Sequence, residues 1–244
     1  MCGRFILTTP LEALEALFAI SANTNLQPRY NIAPTQEVAV VGRAQDGRRE
    51  MRMFRWGLVP SWAKDTKMAA GMINARSETV QEKPAFRQAF AKRRCLVPAD
   101  GFYEWPAQPA TAEGKPDKLP RLLTLPGRQC FAFAGLWEGW RNPDGTILRS
   151  FTIMTTTAVV ALQQLHHRMP VILPVEAHAP WLDPATPLTA VQELLQPYDR
   201  EPIEQLVVGN AVNNVRNDDA RCIVPMDANP PQPSFDIAPQ QAKR

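Results

Sequence analysis

The chain has 244 residues, of which 45% are hydrophobic, so it can bury a substantial core as one large domain or two small ones. Its formal net charge of +3 is a mild basic excess, which permits a nucleic-acid partner without requiring one. The four cysteines are scattered and form no C-x-x-C pair, which argues against a disulfide framework. The three histidines lack a cysteine pair or an H-E-x-x-H pattern, so we expect no metal and no cofactor.

The sequence shows neither a basic start followed by an apolar stretch nor an apolar run long enough to span a bilayer. We therefore expect a cytoplasmic protein without a signal peptide and without a membrane partner.

The first half of the chain alternates short strands with helices. Thr9-Pro10-Leu11-Glu12 predicts a helix that begins with a capping box and has proline at its first position. Asp46-Gly47 predicts the turn of a hairpin. Strands are predicted at 4–7, 37–41, 49–56, 94–98 and 101–105, a short helix at 83–92, and loops at 23–30 and 60–70.

The second half continues this alternation. Strands are predicted at 122–125, 131–140, 148–155 and 206–210, helices at 159–165 and 188–195, a loop at 106–120 and a turn at 142–145. Short strands interspersed with helices predict an α+β domain rather than a doubly wound array. The segment from Asp227 is rich in proline and glutamine, so we expect one domain at 2–226 and a disordered tail at 227–244.

Cysteine at position two has a distinctive chemistry. Cys2 is small enough to permit removal of Met1, and a terminal cysteine carries an amine and a thiol on adjacent carbons. Their reference pKa values of about 7.7–8.0 and about 8.5 leave both partly nucleophilic near neutral pH. The amine can form a Schiff base with an aldehyde, and the thiol can then close a thiazolidine ring. Taken alone, an accidental cysteine at this position is the favoured interpretation.

Three other segments carry more polar chemistry than structure alone needs. Ile73–Thr79 contains Asn74 and Arg76, with a capped helix N-terminus as the alternative. Glu104 lies in an aromatic strand on the face opposite Tyr103 and Trp105. A partly buried carboxylate has a raised pKa that suits general acid–base work, and a salt-bridged edge glutamate is the alternative.

The third segment, His166-His167-Arg168-Met169-Pro170, places a titratable group beside a cation able to bind phosphate. Its alternative is a helix C-terminus, where these charges complement the dipole. Arginines and aromatic residues surround the three segments, as in a channel for single-stranded nucleic acid. An ordinary basic surface with core tryptophans would give the same composition.

Together these segments resemble the SRAP (SOS-response-associated peptidase) family. The matching blocks, in order, are Met1–Phe5, Arg29–Pro34, Trp56–Lys64, Ile73–Thr79, Cys95–Trp105, Phe133–Glu138, His166–Leu173 and Val212–Asp218. Several blocks in order are far more specific than one motif. The resemblance implies a single SRAP-like α+β domain whose curved, largely antiparallel sheets form a barrel-like core flanked by helices.

The resemblance also implies a sensor of abasic sites in single-stranded DNA, acting in the DNA damage response as a monomer that is nucleoid-associated when bound. Its terminal cysteine captures the sugar aldehyde as a thiazolidine crosslink that shields the lesion. By resemblance, Cys2 is the nucleophile, Asn74 orients the terminal residue and the sugar, and Glu104 shuttles protons. His166 assists ring opening and reversal. The positions that match DNA-contacting residues are Arg4, Pro34, Trp62, Arg76, Thr155 and Arg168.

Two positions depart from the family pattern. His167 stands where an acidic or small polar residue is more frequent, and Ala63 stands where some members have a second tryptophan. Two other functions stay open. One is a thiol peptidase that removes Met1 or cleaves other peptides, and the other is a non-covalent single-strand DNA-binding module in which Cys2 is inert.

Overall fold

The structure, a computed structural model, describes residues 2–22, 25–106 and 119–226. The strands in this part of the chain are β1 (Phe5–Leu7), β2 (Arg29–Ile32), β3 (Glu37–Arg43), β4 (Arg49–Trp56), β5 (Asn74–Arg76), β6 (Arg94–Ala99), β7 (Gly101–Glu104), β8 (Arg121–Thr124), β9 (Phe131–Arg141), β10 (Ile147–Thr157), β11 (Arg168–Pro170), β12 (Ile172–Leu173) and β13 (Glu204–Val207). The α-helices are α1 (Leu11–Phe18), α2 (Arg87–Lys92), α3 (Val160–Gln163), α4 (His178–Leu182) and α5 (Leu188–Glu193).

Five strands close into a barrel. The antiparallel pairs β4–β3, β3–β6, β6–β9 and β9–β10 form a continuous sheet, and a parallel pairing of β10 with β4 joins its ends. Closure leaves these strands without open edges. Aromatic rings fill the core, where Phe5 meets Trp56 at 5.1 Å and Phe133 at 5.8 Å between ring centroids. The predicted barrel-like core of largely antiparallel strands is confirmed.

A second sheet of five antiparallel strands has the order β13-β8-β7-β1-β2. Because side chains alternate along a strand, consecutive residues of β1 pack into different clusters. Phe5 belongs to the large core that includes the barrel, whereas Ile6 packs with Tyr103 in a smaller cluster on the other side. This sheet therefore carries the start of the chain between the two clusters.

Strand β10 also holds two short strands beyond the barrel. β5 pairs with it in parallel and β11 pairs with it antiparallel, so Thr155 lies opposite both Arg76 and Pro170. The segments that contain Asn74 and His166 are thereby attached to the same end of one long strand. This arrangement fixes the frame of the site described below.

Most predicted elements are present, with local differences. The hairpin β3–β4, the strands β6–β10 and the helices α1, α2, α3 and α5 confirm the alternation read from the sequence. The predicted capping box is wrong: Pro10 occupies the N-cap, and the Thr9 hydroxyl donates instead to Asp100 Oδ1 at 2.7 Å. The last strand ends at Val207 rather than 210, and the 60–70 loop contains a 3₁₀ turn at Lys67–Gly71.

The alternative of a helix N-terminus at 73–79 is also wrong, because Asn74–Arg76 is strand β5. Most of the predicted 106–120 loop, and the whole predicted tail at 227–244, lie outside the described residues. Within the described ranges, no helix combines the length and the apolar character that a bilayer crossing requires.

Candidate active site

Cys2 lies three residues before β1 and is fully buried. Its backbone carbonyl accepts a hydrogen bond of 2.8 Å from Asn74 Nδ2, which joins the start of the chain to β5. The Arg4 carbonyl accepts from the Tyr103 N–H at 2.9 Å, so the β1–β7 pairing continues toward the N-terminus. This pairing places Glu104, at the end of β7, beside Cys2.

Glu104 is a buried carboxyl group, 7% exposed. It lies on the Cys2 side of the sheet, while Tyr103 and Trp105 pack together in the smaller cluster, as the alternation predicts. β7 pairs on both sides, with β1 and β8, so the alternative of an edge glutamate is wrong. Burial raises the pKa of Glu104.

The Cys2 thiol is also held in its protonated form. Burial raises its pKa, and the nearby Glu104 carboxylate raises it further. The thiol is thus a poor nucleophile until a base removes its proton. Glu104 is the neighbouring group whose own pKa shift, toward neutrality, fits it for that transfer.

Of the two polar atoms of the Asn74 side-chain amide, only the nitrogen has a hydrogen-bond partner among the described residues. Nδ2 donates to the Cys2 carbonyl, whereas Oδ1 is buried and accepts no hydrogen bond from the described residues. A buried acceptor without a donor is costly and calls for a specific explanation. An amine or a hydroxyl group bound beside Cys2 would supply the missing donor.

His166 lies just beyond the C-terminus of α3 and is half-buried. Its Nδ1 accepts from the Arg168 N–H at 2.9 Å, and the Arg168 carbonyl at 3.2 Å can accept from the same nitrogen when the ring is protonated. Either protonation state therefore has a partner. Burial lowers the pKa of His166, which favours the neutral ring at pH 7.

Arg168 and Thr155 are both buried, beside the strand pairing of β10 and β11. The Arg168 guanidinium donates twice to the Glu78 carboxylate, at 2.6 and 2.9 Å, and once to the Thr155 carbonyl, at 2.6 Å. This ion pair lowers the pKa of Glu78. A phosphate at Arg168 would therefore have to compete with Glu78, a partner that the sequence motif gave no reason to expect.

The two other arginines differ in their surroundings. Arg4 donates from Nη1 to Asn31 Oδ1 at 2.7 Å and to the Val212 carbonyl at 2.8 Å, and its guanidinium lies 5.5 Å from the Trp105 ring centre. Arg76 is exposed. Arg76 is thus the more accessible of the two to a phosphate group.

Trp62, one of the predicted DNA contacts, has an exposed aromatic side chain, 58% accessible, on a loop that is itself anchored. Trp140 Nε1 donates to the Ala63 carbonyl at 2.6 Å, and the Val59 N–H donates to Ser150 Oγ at 2.8 Å. Pro34, half-buried, follows β2. An exposed ring on a fixed loop is well suited to stacking on a base.

The structure thus brings Cys2, Asn74 and Glu104 together by direct contact or charge, and connects His166 to them through β10. Sequence reasoning missed the role of Glu78, whose only signal was its place in a conspicuously polar segment. In the described part of the chain, no group of three or more His, Cys, Asp or Glu side chains could hold a metal ion.

Comparison with known proteins gives a consistent result. The family model described as SOS response associated peptidase (SRAP) matches residues 1–215. The chain is 40% identical to abasic site processing protein YoqW of Bacillus subtilis, over 91% of this chain and 99% of that one. It is 32% identical to abasic site processing protein HMCES of Pongo abelii, over 93% and 77% respectively.

Among solved structures, a protein from Bacteroides thetaiotaomicron superimposes with a TM-score of 0.81 at 25% identity, covering 91% of this chain and 98% of that one. A protein from Bordetella bronchiseptica gives a TM-score of 0.70 at 28% identity, covering 85% and 100%. On both sequence and fold, the chain belongs to the SRAP family.

Proposed function

We propose that this protein processes abasic sites in single-stranded DNA by capturing them covalently through Cys2. Relatives that carry the name abasic site processing protein support the general class of activity. The observation that supports the covalent mechanism is the grouping of side chains around Cys2, just before β1. There Cys2 is anchored through its carbonyl by Asn74 and lies beside a buried carboxyl group.

Capture begins once Met1 has been removed. The Cys2 amine adds to the aldehyde carbon of the opened sugar, and loss of one water molecule gives an imine. The Cys2 sulfur then bonds to the carbon of the protonated imine, the carbon–nitrogen π electrons move to nitrogen, which keeps its proton, and the thiol proton passes to a base. The product is a thiazolidine, and its mass equals that of protein plus DNA less one water.

Glu104 carries the protons in these steps. In its acid form it protonates the hydroxyl group that leaves as water, and the resulting carboxylate accepts the proton of the Cys2 thiol. The raised pKa of Cys2 makes such a base necessary, and the raised pKa of Glu104 makes its carboxylate a stronger base than an exposed glutamate. Asn74 Oδ1, which accepts no hydrogen bond from the described residues, accepts from the amine or a sugar hydroxyl group and orients the reactants.

His166 transfers protons to and from the sugar. Protonation of the sugar ring oxygen opens the closed form to the aldehyde, and protonation at the same centre assists reversal of the crosslink or strand cleavage by a lyase reaction. A half-buried imidazole with a lowered pKa is mainly neutral at pH 7 and can both accept and donate a proton.

The DNA path is assigned to the positions that match DNA-contacting residues of the family. Arg76 and Arg4 contact phosphates, Trp62 and Pro34 separate the bases next to the lesion, and Thr155 supports the site from β10. Arg168 is a phosphate ligand only where the DNA displaces Glu78 from its guanidinium.

Intact-mass analysis with an abasic single-stranded oligonucleotide tests the proposal. The processed protein should give a heat-stable adduct at the summed mass less one water. Cys2→Ser keeps an amine but cannot form the sulfur-containing ring, so it should give at most an imine that borohydride traps. A heat-stable Cys2→Ser adduct at wild-type yield would refute the thiazolidine.

Blocking the terminal amine while keeping the thiol separates the alternatives. Protein acetylated at the Cys2 amine should lose capture while its DNA affinity persists. Retained cleavage of a peptide substrate by this form would favour a thiol peptidase, since a peptidase needs only the thiol and a base. Unaltered single-strand binding without any adduct in the unblocked protein would favour the non-covalent binding module.

A further inference from the structure

The imidazole rings of His166 and His167 form a stacked pair. Their centroids lie 4.4 Å apart and their planes differ by 23°. His167 is exposed and His166 is half-buried, so the ring of His167 covers one face of the ring of His166. An exposed side chain gives up rotamer freedom to hold such a position, which the contact between the two flat rings offsets.

The main chain fixes both histidines where they stack. The His166 N–H donates to the Leu162 carbonyl at 3.0 Å, and the His167 carbonyl accepts from the Ala158 N–H at 3.0 Å. The Arg168 N–H donates to His166 Nδ1 at 2.9 Å. With Nδ1 engaged and one face covered, the orientation of the His166 ring is determined, and Nε2 is the nitrogen left for proton transfer.

We propose that His167 is a positioning residue, which holds the His166 imidazole in the orientation needed for proton transfer at Nε2. The proposal rests on the proposed function for the reaction that Nε2 serves, namely protonation during reversal of the crosslink. A proton-transfer group that is already oriented loses little freedom on reaching the transition state. Removing the stack should therefore slow reversal, which is measured from preformed crosslink so that opening of the free sugar during capture does not enter the rate.

Two substitutions separate the flat ring from the other properties of His167. His167→Ala removes the ring, whereas His167→Phe keeps an aromatic face and cannot titrate. Starting from purified crosslink, the alanine variant should reverse roughly 2- to 12-fold more slowly than wild type, the factor that corresponds to the usual strength of an aromatic pair. The phenylalanine variant should reverse at nearly the wild-type rate. Wild-type reversal in His167→Ala, or equally slow reversal in both variants, overturns the proposal.

Nuclear magnetic resonance of the His166 ring protons gives a readout that needs no DNA. The ring current of residue 167 should shift these signals in wild type and in His167→Phe, and the shift should be lost in His167→Ala. Equal His166 shifts in wild type and His167→Ala overturn the proposal whatever the reversal rates. If the wild-type protein forms no crosslink, the proposed function fails, and the ring signals alone then decide for or against positioning. Equal thermal unfolding of the three proteins confirms that the fold is intact.

Discussion

Replacement of Gly57 by alanine should destabilise the protein at the point where the Trp62 loop leaves the barrel. Gly57 follows β4 with a φ of +108°, a region that side chains with a Cβ rarely adopt. Its N–H donates to the Phe151 carbonyl at 2.9 Å, so the backbone cannot easily rotate away. An alanine Cβ would lie 2.9 Å from the Ala69 carbonyl oxygen, which belongs to the main chain and cannot swing aside.

The expected magnitude has two parts. Backbone strain at positive φ costs about 1–3 kcal/mol, and forcing an extra methyl group against a packed neighbour costs about 1–3 kcal/mol. Gly57→Ala should therefore lower the free energy of unfolding by about 2–6 kcal/mol, the sum of these two ranges. Trp62 should also lose part of its affinity contribution, because its loop starts from a displaced residue.

Alanine substitutions at two other glycines separate the cost of backbone strain from the cost of the steric clash. Gly145 has a φ of +89° and no atom within 4 Å of an added Cβ, so Gly145→Ala should show only the strain of about 1–3 kcal/mol. Gly71 has neither a positive φ nor a neighbour within 4 Å, so Gly71→Ala should be neutral or stabilising by about 0.4–1 kcal/mol. Urea unfolding of the wild-type protein and the three variants measures the order of their free energies of unfolding. A Gly57→Ala protein as stable as Gly71→Ala would refute the reasoning.

Glu104→Gln should slow crosslink formation by about 10²–10⁴ with nearly unchanged DNA affinity, measured by quenched time courses and by titration. Burial raises the folded pKa of Glu104, so the stability of the wild-type protein falls as pH rises through that pKa. The melting temperature of Glu104→Gln relative to wild type should therefore be higher at pH 8 than at pH 4. An equal difference at both pH values would contradict the raised pKa. Arg76→Ala should weaken single-strand binding and reduce the slope of log K against log salt by about 0.7, and an unchanged slope would argue against a phosphate contact. Trp62→Ala should cost about 1–3 kcal/mol of single-strand affinity and little duplex affinity, and equal losses on both would exclude base stacking.

The long strands of the barrel could be predicted because they carry their own signals. β3, β4, β9 and β10 are long runs rich in strand-forming residues and join at turns with glycine, at Gly47 and Gly145. The strands β5, β11 and β12 have two or three residues each and no pattern of their own. They exist because β9 and β10 offer them backbone partners, which is tertiary information that a short window of sequence does not contain.

The site could be predicted from the sequence only through the family resemblance. Cys2 and Asn74 are 72 residues apart along the chain, and no periodicity connects them. Arg168 illustrates the reverse problem, since charge alone makes every arginine a candidate phosphate ligand. Its pairing with Glu78 joins residues 90 apart and depends on the pairing of β5 and β11 with the same strand, β10, which composition cannot show.

Strand β10 pairs with four other strands, β4, β5, β9 and β11, and this affects when the candidate site can form during folding. Barrel closure joins residues far apart in sequence, as between Arg55 of β4 and Ser150 of β10. Contacts of this range make folding slow, because the chain loses conformational entropy on closing long loops before the contacts stabilise it. During synthesis, the first residues must wait for β10 and β11 to leave the ribosome before Asn74, Glu104 and His166 surround them. On the proposed function, a nascent chain thus carries Cys2 long before it has the residues that would assist its reaction.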